Sequence, residues 1–140
     1  MATNVDLRGL SPRQMPRNVT NTMRRTVNYS DTGISSGIAI GPDALPQGAF
    51  ITGVWVEIVT VFNGGTDVLT VGTNSTSYNN LVAAGDVDET ATGVTQVTRG
   101  LGRSITAAAD IAVFIKYTTA GTATTGQAVV VIQYEGGWST

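Results

Sequence analysis

At 140 residues with 41% apolar content, the chain is long enough to form one domain around a hydrophobic core. It has no cysteine and no histidine, which excludes disulfides, thiolate zinc sites, cysteine nucleophiles and histidine-based proton relays. Charged residues make up only 13% of the chain, so Thr, Ser, Asn and Gly must cover much of a surface that is weakly protected against association. Carboxylate, lysine and tyrosine chemistry stays open, but the balance points to a non-enzymatic protein with no cofactor.

The net charge of −2 conceals an asymmetry. Residues 1–25 hold five arginines (Arg8, Arg13, Arg17, Arg24 and Arg25) against Asp6, a balance of +4, whereas the remainder holds three cations against nine carboxylates, a balance of −6. Residues 1–22 show no sustained hydrophobic period, and Pro12 and Pro16 break any helix there. They are expected to form an extended basic arm, followed by a β-sandwich domain over residues 23–140. The arm has no apolar signal-peptide core, and no window approaches the roughly 18 apolar residues that span a bilayer. The expectation is a soluble chain made in the cytoplasm, with no membrane partner.

Five arginines in the arm suit either phosphates or an acidic protein surface. The arm carries no lysine and no aromatic residue, but it does carry Val5, Leu7, Leu10, Met15 and Val19. Base stacking is thereby disfavoured, and a protein partner that offers those apolar side chains a dry site is preferred over nucleic acid.

Beyond the arm, short β-branched runs are punctuated by Gly and Asn. Met23–Ser30 and Gly33–Ile40 are weaker strand candidates. Ile51–Phe62 is the clearest strand: Val54, Val56 and Ile58 face one way and Trp55, Glu57, Val59 and Val61 the other. One face is core, and the other is open to a neighbouring chain. Asn63-Gly64-Gly65 then suits a tight hairpin returning as Asp67–Gly72.

Asp86-Val87-Asp88-Glu89 has carboxylates for a calcium ion but neither the glycine nor the distant glutamate of a known loop, so a solvated acidic loop is the expectation. Gly93–Arg99 is a further weak strand. Arg99-Gly100-Leu101-Gly102-Arg103 brackets a turn with two guanidinium groups but lacks the ending of a phosphate-binding loop. Arg99 and Arg103 are expected to meet a partner or an intramolecular carboxylate. A short strand near Ser104–Thr106 precedes Ile111–Tyr117 and Gln127–Glu135, which alternate strictly and look like an antiparallel pair across the 118–126 loop.

Seven or eight strands with frequent turns predict an all-β, antiparallel, jelly-roll-like sandwich of about eight strands. Periodicity does not give the strand order.

Three stretches carry a resemblance: the segment GVWVEIVTVFNGGTDVLTVGT from Gly53 to Thr73, LVAAGDV from Leu81 to Val87, and GQAVVVIQY from Gly126 to Tyr134. Together they resemble the jelly-roll head decoration (cement) proteins of tailed bacteriophages over residues 33–136. The resemblance implies a structural virion protein on the outer surface of the assembled head. There it would bridge and stabilise major capsid subunits, as a homotrimer at three-fold or quasi-three-fold positions. It brings no catalytic or metal-binding residues. The second reading is a carbohydrate- or receptor-binding module of a tail or fibre, with Trp55, Tyr78, Tyr117 and Trp138 as stacking platforms.

Overall fold

A computed structural model describes residues 20–41, 44–102 and 109–136. Among them are seven strands: β1 (Thr20–Asn28), β2 (Ile38–Ala39), β3 (Phe50–Thr60), β4 (Asp67–Gly72), β5 (Gly93–Gln96), β6 (Phe114–Thr119) and β7 (Gln127–Glu135). All pairings are antiparallel. One sheet has the order β1-β7-β3-β5 and the other β2-β6-β4.

The chain changes sheet at every step, so no two consecutive strands pair. This interleaving is the jelly-roll arrangement. A single bridge from Val71 to Val82, on the side of β4 away from β6, takes the fourth place of the smaller sheet. The expected all-β antiparallel sandwich is the fold, with seven strands and this bridge in place of eight full strands.

Two local expectations are corrected. The Asn63-Gly64-Gly65 link does not close a hairpin, because β3 and β4 lie in opposite sheets. Nor do β6 and β7 pair with each other: β6 lies between β2 and β4, and β7 between β1 and β3. Both links are arches over the end of the sandwich. They are joined there through Asn63, whose side-chain oxygen accepts the Thr124 and Thr125 N–H groups at 2.7 and 3.0 Å and whose amide donates to Thr124 Oγ1 at 2.7 Å. Gly126 lets this junction close, since its φ of +149° and the Phe62 ring lying on its Cα leave no room for a side chain.

Strand β7 is the spine of the larger sheet, with nine paired positions to β1 and nine to β3. Its inward residues Ala128, Val130 and Ile132 meet Val54, Val56 and Ile58 of β3 and Leu69, Val71 and Ile115 of the smaller sheet in one buried cluster. Each of the Val, Leu and Ile side chains among them contributes roughly 1.5–3 kcal/mol by leaving water. Strand β1 begins at Thr20, inside the segment expected as arm, and buries Met23 and Val27. Arg25 lies between them on the inward side and reaches across to the other sheet, where Nη1 donates to the Ala39 carbonyl of β2 at 2.7 Å. The expected piece at Ser104–Thr106 lies outside the described residues.

Candidate interaction surfaces

The outer face of the larger sheet follows from the register. Arg24, Val131, Trp55 and Gln96 form one row across β1, β7, β3 and β5, and Thr26, Val129, Glu57 and Val94 form the next. Val129 and Val131 make β7 apolar on both sides, although an outward face in water is ordinarily polar. Val94 is 65% exposed, and Val59 at the end of β3 is also exposed. The Trp55 indole folds over Gly53, where a Cβ would collide with it. The face the sequence left open to a neighbour is therefore half-apolar, with one cation and one carboxylate as polar markers.

The arginines expected to meet a partner are distributed unequally. Arg24 projects outward and is exposed. Arg25 is half-buried and committed to Ala39. Arg99 forms a two-pronged ion pair with Asp86, Nε to Oδ2 at 2.8 Å and Nη2 to Oδ1 at 2.9 Å. The Arg99 hydrogen bond holds the Asp86 carboxyl below its ordinary range, and the same contact raises Arg99. Arg8, Arg13, Arg17 and Arg103 lie outside the described residues.

The acidic loop is largely built into the structure, contrary to the expectation of a solvated one. Asp86 also accepts the Ala83 N–H at 2.9 Å, closing its own turn. Asp88 caps Thr90, whose hydroxyl and N–H hold that carboxyl below its usual range. Glu89 is only 7% exposed, and its carboxylate accepts the Leu69 N–H of β4 at 2.9 Å. Burial pushes its pKa up, and the neighbouring Asp67 and Asp88 charges add to the rise.

Asp67 accepts the Gly64 N–H at 3.0 Å and the Tyr117 hydroxyl at 2.5 Å. Burial foremost, with the Asp67 hydrogen bond, pushes Tyr117 up to about 12. Nothing in the sequence announces this group, because Asp67, Glu89 and Tyr117 come from three distant segments. Among the described residues no cluster of three or more metal-ligating side chains occurs.

Among the described residues, Tyr78 and Tyr117 pack against other rings of this chain and not side by side as a stacking platform. Tyr117 is buried against Phe62 with ring centroids 4.6 Å apart. Tyr78 stacks on Phe114 at 4.7 Å, and its ring also lies close to Gly37. Trp138 lies outside the described residues. An open cleft is lined by Asn79, Asn80, Asp86, Gln96, Thr98 and Arg99 among others, with no aromatic side chain in its walls.

No protein-family model matches the chain, and no curated protein matches it. Solved structures do. A chain of the capsid asymmetric unit of cyanophage Pam1 superposes with a TM-score of 0.60 at 23% identity, covering 96% of this chain and 97% of that one. A chain of the acidic stable capsid of Helicobacter pylori bacteriophage KHP30 gives a TM-score of 0.58 at 19% identity, covering 85% and 89%. The sandwich of this protein is thus a fold found in subunits of bacteriophage capsid structures.

Proposed function

We propose that this chain is a structural, non-catalytic protein of a bacteriophage virion, and that it decorates the outer surface of the assembled head. The observation that carries the reading is the near end-to-end match to the Pam1 chain: the fold is shared over 96% of this chain and 97% of that one. The surface supports it. Charges are few, the outward face of the larger sheet is half-apolar, and the exposed ion pair and the buried carboxylates are used internally.

In this reading the major capsid protein and further copies of this chain, arranged as a homotrimer, are the partners. Arg8, Arg13, Arg17 and Arg24 meet acidic surface on a neighbour. Arg99 contributes by fixing its loop against Asp86, which leaves Arg103 as the loop's cation for a partner. A protein that binds only the assembled lattice stabilises it by mass action, by about 2.7 kcal/mol per site at a hundredfold excess over Kd.

The test is to add purified protein to expanded, empty heads that lack it. Saturable binding at a fixed ratio to capsid subunits, with a raised temperature of shell disruption, is the expected result. Protein that stays off heads and is found only at a tail tip overturns the decoration role.

A further inference from the structure

Strand β1 forms one edge of the larger sheet, and its free side has the makings of a binding site. Its nine residues pair with β7 in an unbroken register, without the bulge that commonly blunts an edge. The edge at the opposite end of the sheet, β5, is only four residues long and starts at a glycine with φ of +138°.

The direction of the β1 peptide groups follows from its C-terminal end. Tyr29 donates its N–H to Gly126 on the β7 side at 3.0 Å, whereas Asn28 donates its N–H to the Asp31 carboxylate at 2.9 Å, away from β7. Strand alternation then directs the N–H and C=O groups of Thr20, Thr22, Arg24 and Thr26 away from β7 as well. Among the described residues β1 pairs with β7 alone. The same four residues carry outward, exposed side chains.

We infer that this edge accepts an extended, acidic segment of a neighbouring chain as a fifth strand of the larger sheet. Four outward peptide groups, spaced over about 20 Å of strand, supply the main-chain hydrogen bonds of strand addition. Arg24 supplies the selectivity, because it is exposed on the row that a cross-strand residue of the added segment would share and no carboxylate among the described residues pairs with it. An acidic residue opposite it makes a favourable cross-strand pair.

Pairing of β1 with β1 of a second copy is disfavoured by the same side chain. In antiparallel registers centred on the strand, the two Arg24 groups fall directly or diagonally across from each other. The edge is thus guarded against self-association by the residue that recruits an acidic partner. The identity of that neighbour as a head subunit rests on the function proposed above; the edge itself does not.

The test uses the full chain and a backbone-specific variant. Thr22→Pro removes an outward N–H that takes no part in the pairing with β7, so the sheet tolerates it as edge strands tolerate proline. Binding to empty heads is expected to fall about tenfold or more while the thermal midpoint stays within a few degrees. Arg24→Glu should weaken binding comparably without touching the backbone.

As a direct readout, hydrogen exchange at Thr22, Arg24 and Thr26 should be fast in free protein and slowed about tenfold or more on heads. Unchanged exchange there, or wild-type binding by both variants, overturns the inference. A dimer of the free protein that Thr22→Pro dissolves overturns it in favour of self-pairing. If wild-type protein ignores heads, the decoration role fails. The edge is then read with a twelve-residue alternating Val/Glu peptide: binding lost in Thr22→Pro supports it, and no binding overturns it.

Discussion

Asp86 and Glu89 stand three positions apart in one loop, yet their environments push them in opposite directions. Glu89 is raised chiefly by burial, so its contribution to stability is present at low pH and is lost as pH rises through its raised folded-state value. Asp86 is lowered chiefly by its hydrogen bond to Arg99, so its contribution is present above the ordinary carboxylate range and is lost as pH falls through its lowered value. Glu89→Gln keeps an acceptor for the Leu69 N–H and removes the buried charge. Its stability relative to wild type should therefore rise between pH 4 and pH 7, and urea midpoints at the two values check it; a difference independent of pH rules this out. Glu89→Ala orphans the Leu69 donor and should cost about 1–3 kcal/mol at neutral pH. Tyr117→Phe removes the donor to Asp67 while keeping the ring on Phe62. A loss of about 1–3 kcal/mol in denaturant unfolding is expected, and an unchanged midpoint would show that the hydroxyl contributes nothing.

Among the elements, the two arches determine how consecutive strands are distributed between the sheets. Asn63→Ala deletes three of the hydrogen bonds that tie the β3–β4 arch to the β6–β7 arch. At a solvent-facing position a net loss of about 1–2 kcal/mol is expected. Gly126→Ala places a methyl where the Phe62 ring lies, at a φ that side chains rarely adopt, and should cost at least as much. Calorimetric midpoints of the two variants test this, and a Gly126→Ala protein as stable as wild type would exclude the tight junction. The same place explains what the sequence could and could not reveal. Alternation separated Val54, Val56 and Ile58, which are buried, from the mixed face of β3, because side-chain direction is a local property of a strand. Partner choice is not local. Asn63-Gly64-Gly65 satisfies the backbone of a hairpin and of an arch equally, and only Asn63's reach to Thr124, some 60 residues on, distinguishes them. The acidic loop was misjudged for the same reason, since Glu89 looks solvated until β4 is placed over it. Arg24 and Arg25 read alike in the sequence as cations of the arm, and only the structure separates them, Arg24 exposed and Arg25 reaching across the sandwich to Ala39.

For the whole molecule the charge split sets the expected behaviour on a shell. Residues 1–19 precede the first strand and hold Arg8, Arg13 and Arg17, while the body that follows is acidic. Met23, Val27 and the nine-position pairing of β1 with β7 lie beyond that cut, so deleting residues 1–19 leaves every described residue of the core cluster in place. The truncated protein should unfold at the temperature of the full chain while binding empty heads more weakly. Weakening should be greatest at low ionic strength, where three guanidinium charges act over a Debye length of about 10 Å at 0.1 M salt, and should shrink as salt is raised. Affinity that is equal with and without the segment at every salt concentration would assign docking to the sandwich alone. The two contacts are separable by their salt response. Strand addition at β1 depends on peptide hydrogen bonds that salt barely screens and on the single charge of Arg24, so the residual affinity of the truncated protein should fall with salt less steeply than that of the full chain. A combined truncation and Thr22→Pro variant should then bind heads least of all, with its fold intact. If the losses from the two changes add on a free-energy scale, the arm and the edge act as independent anchors on the same neighbour.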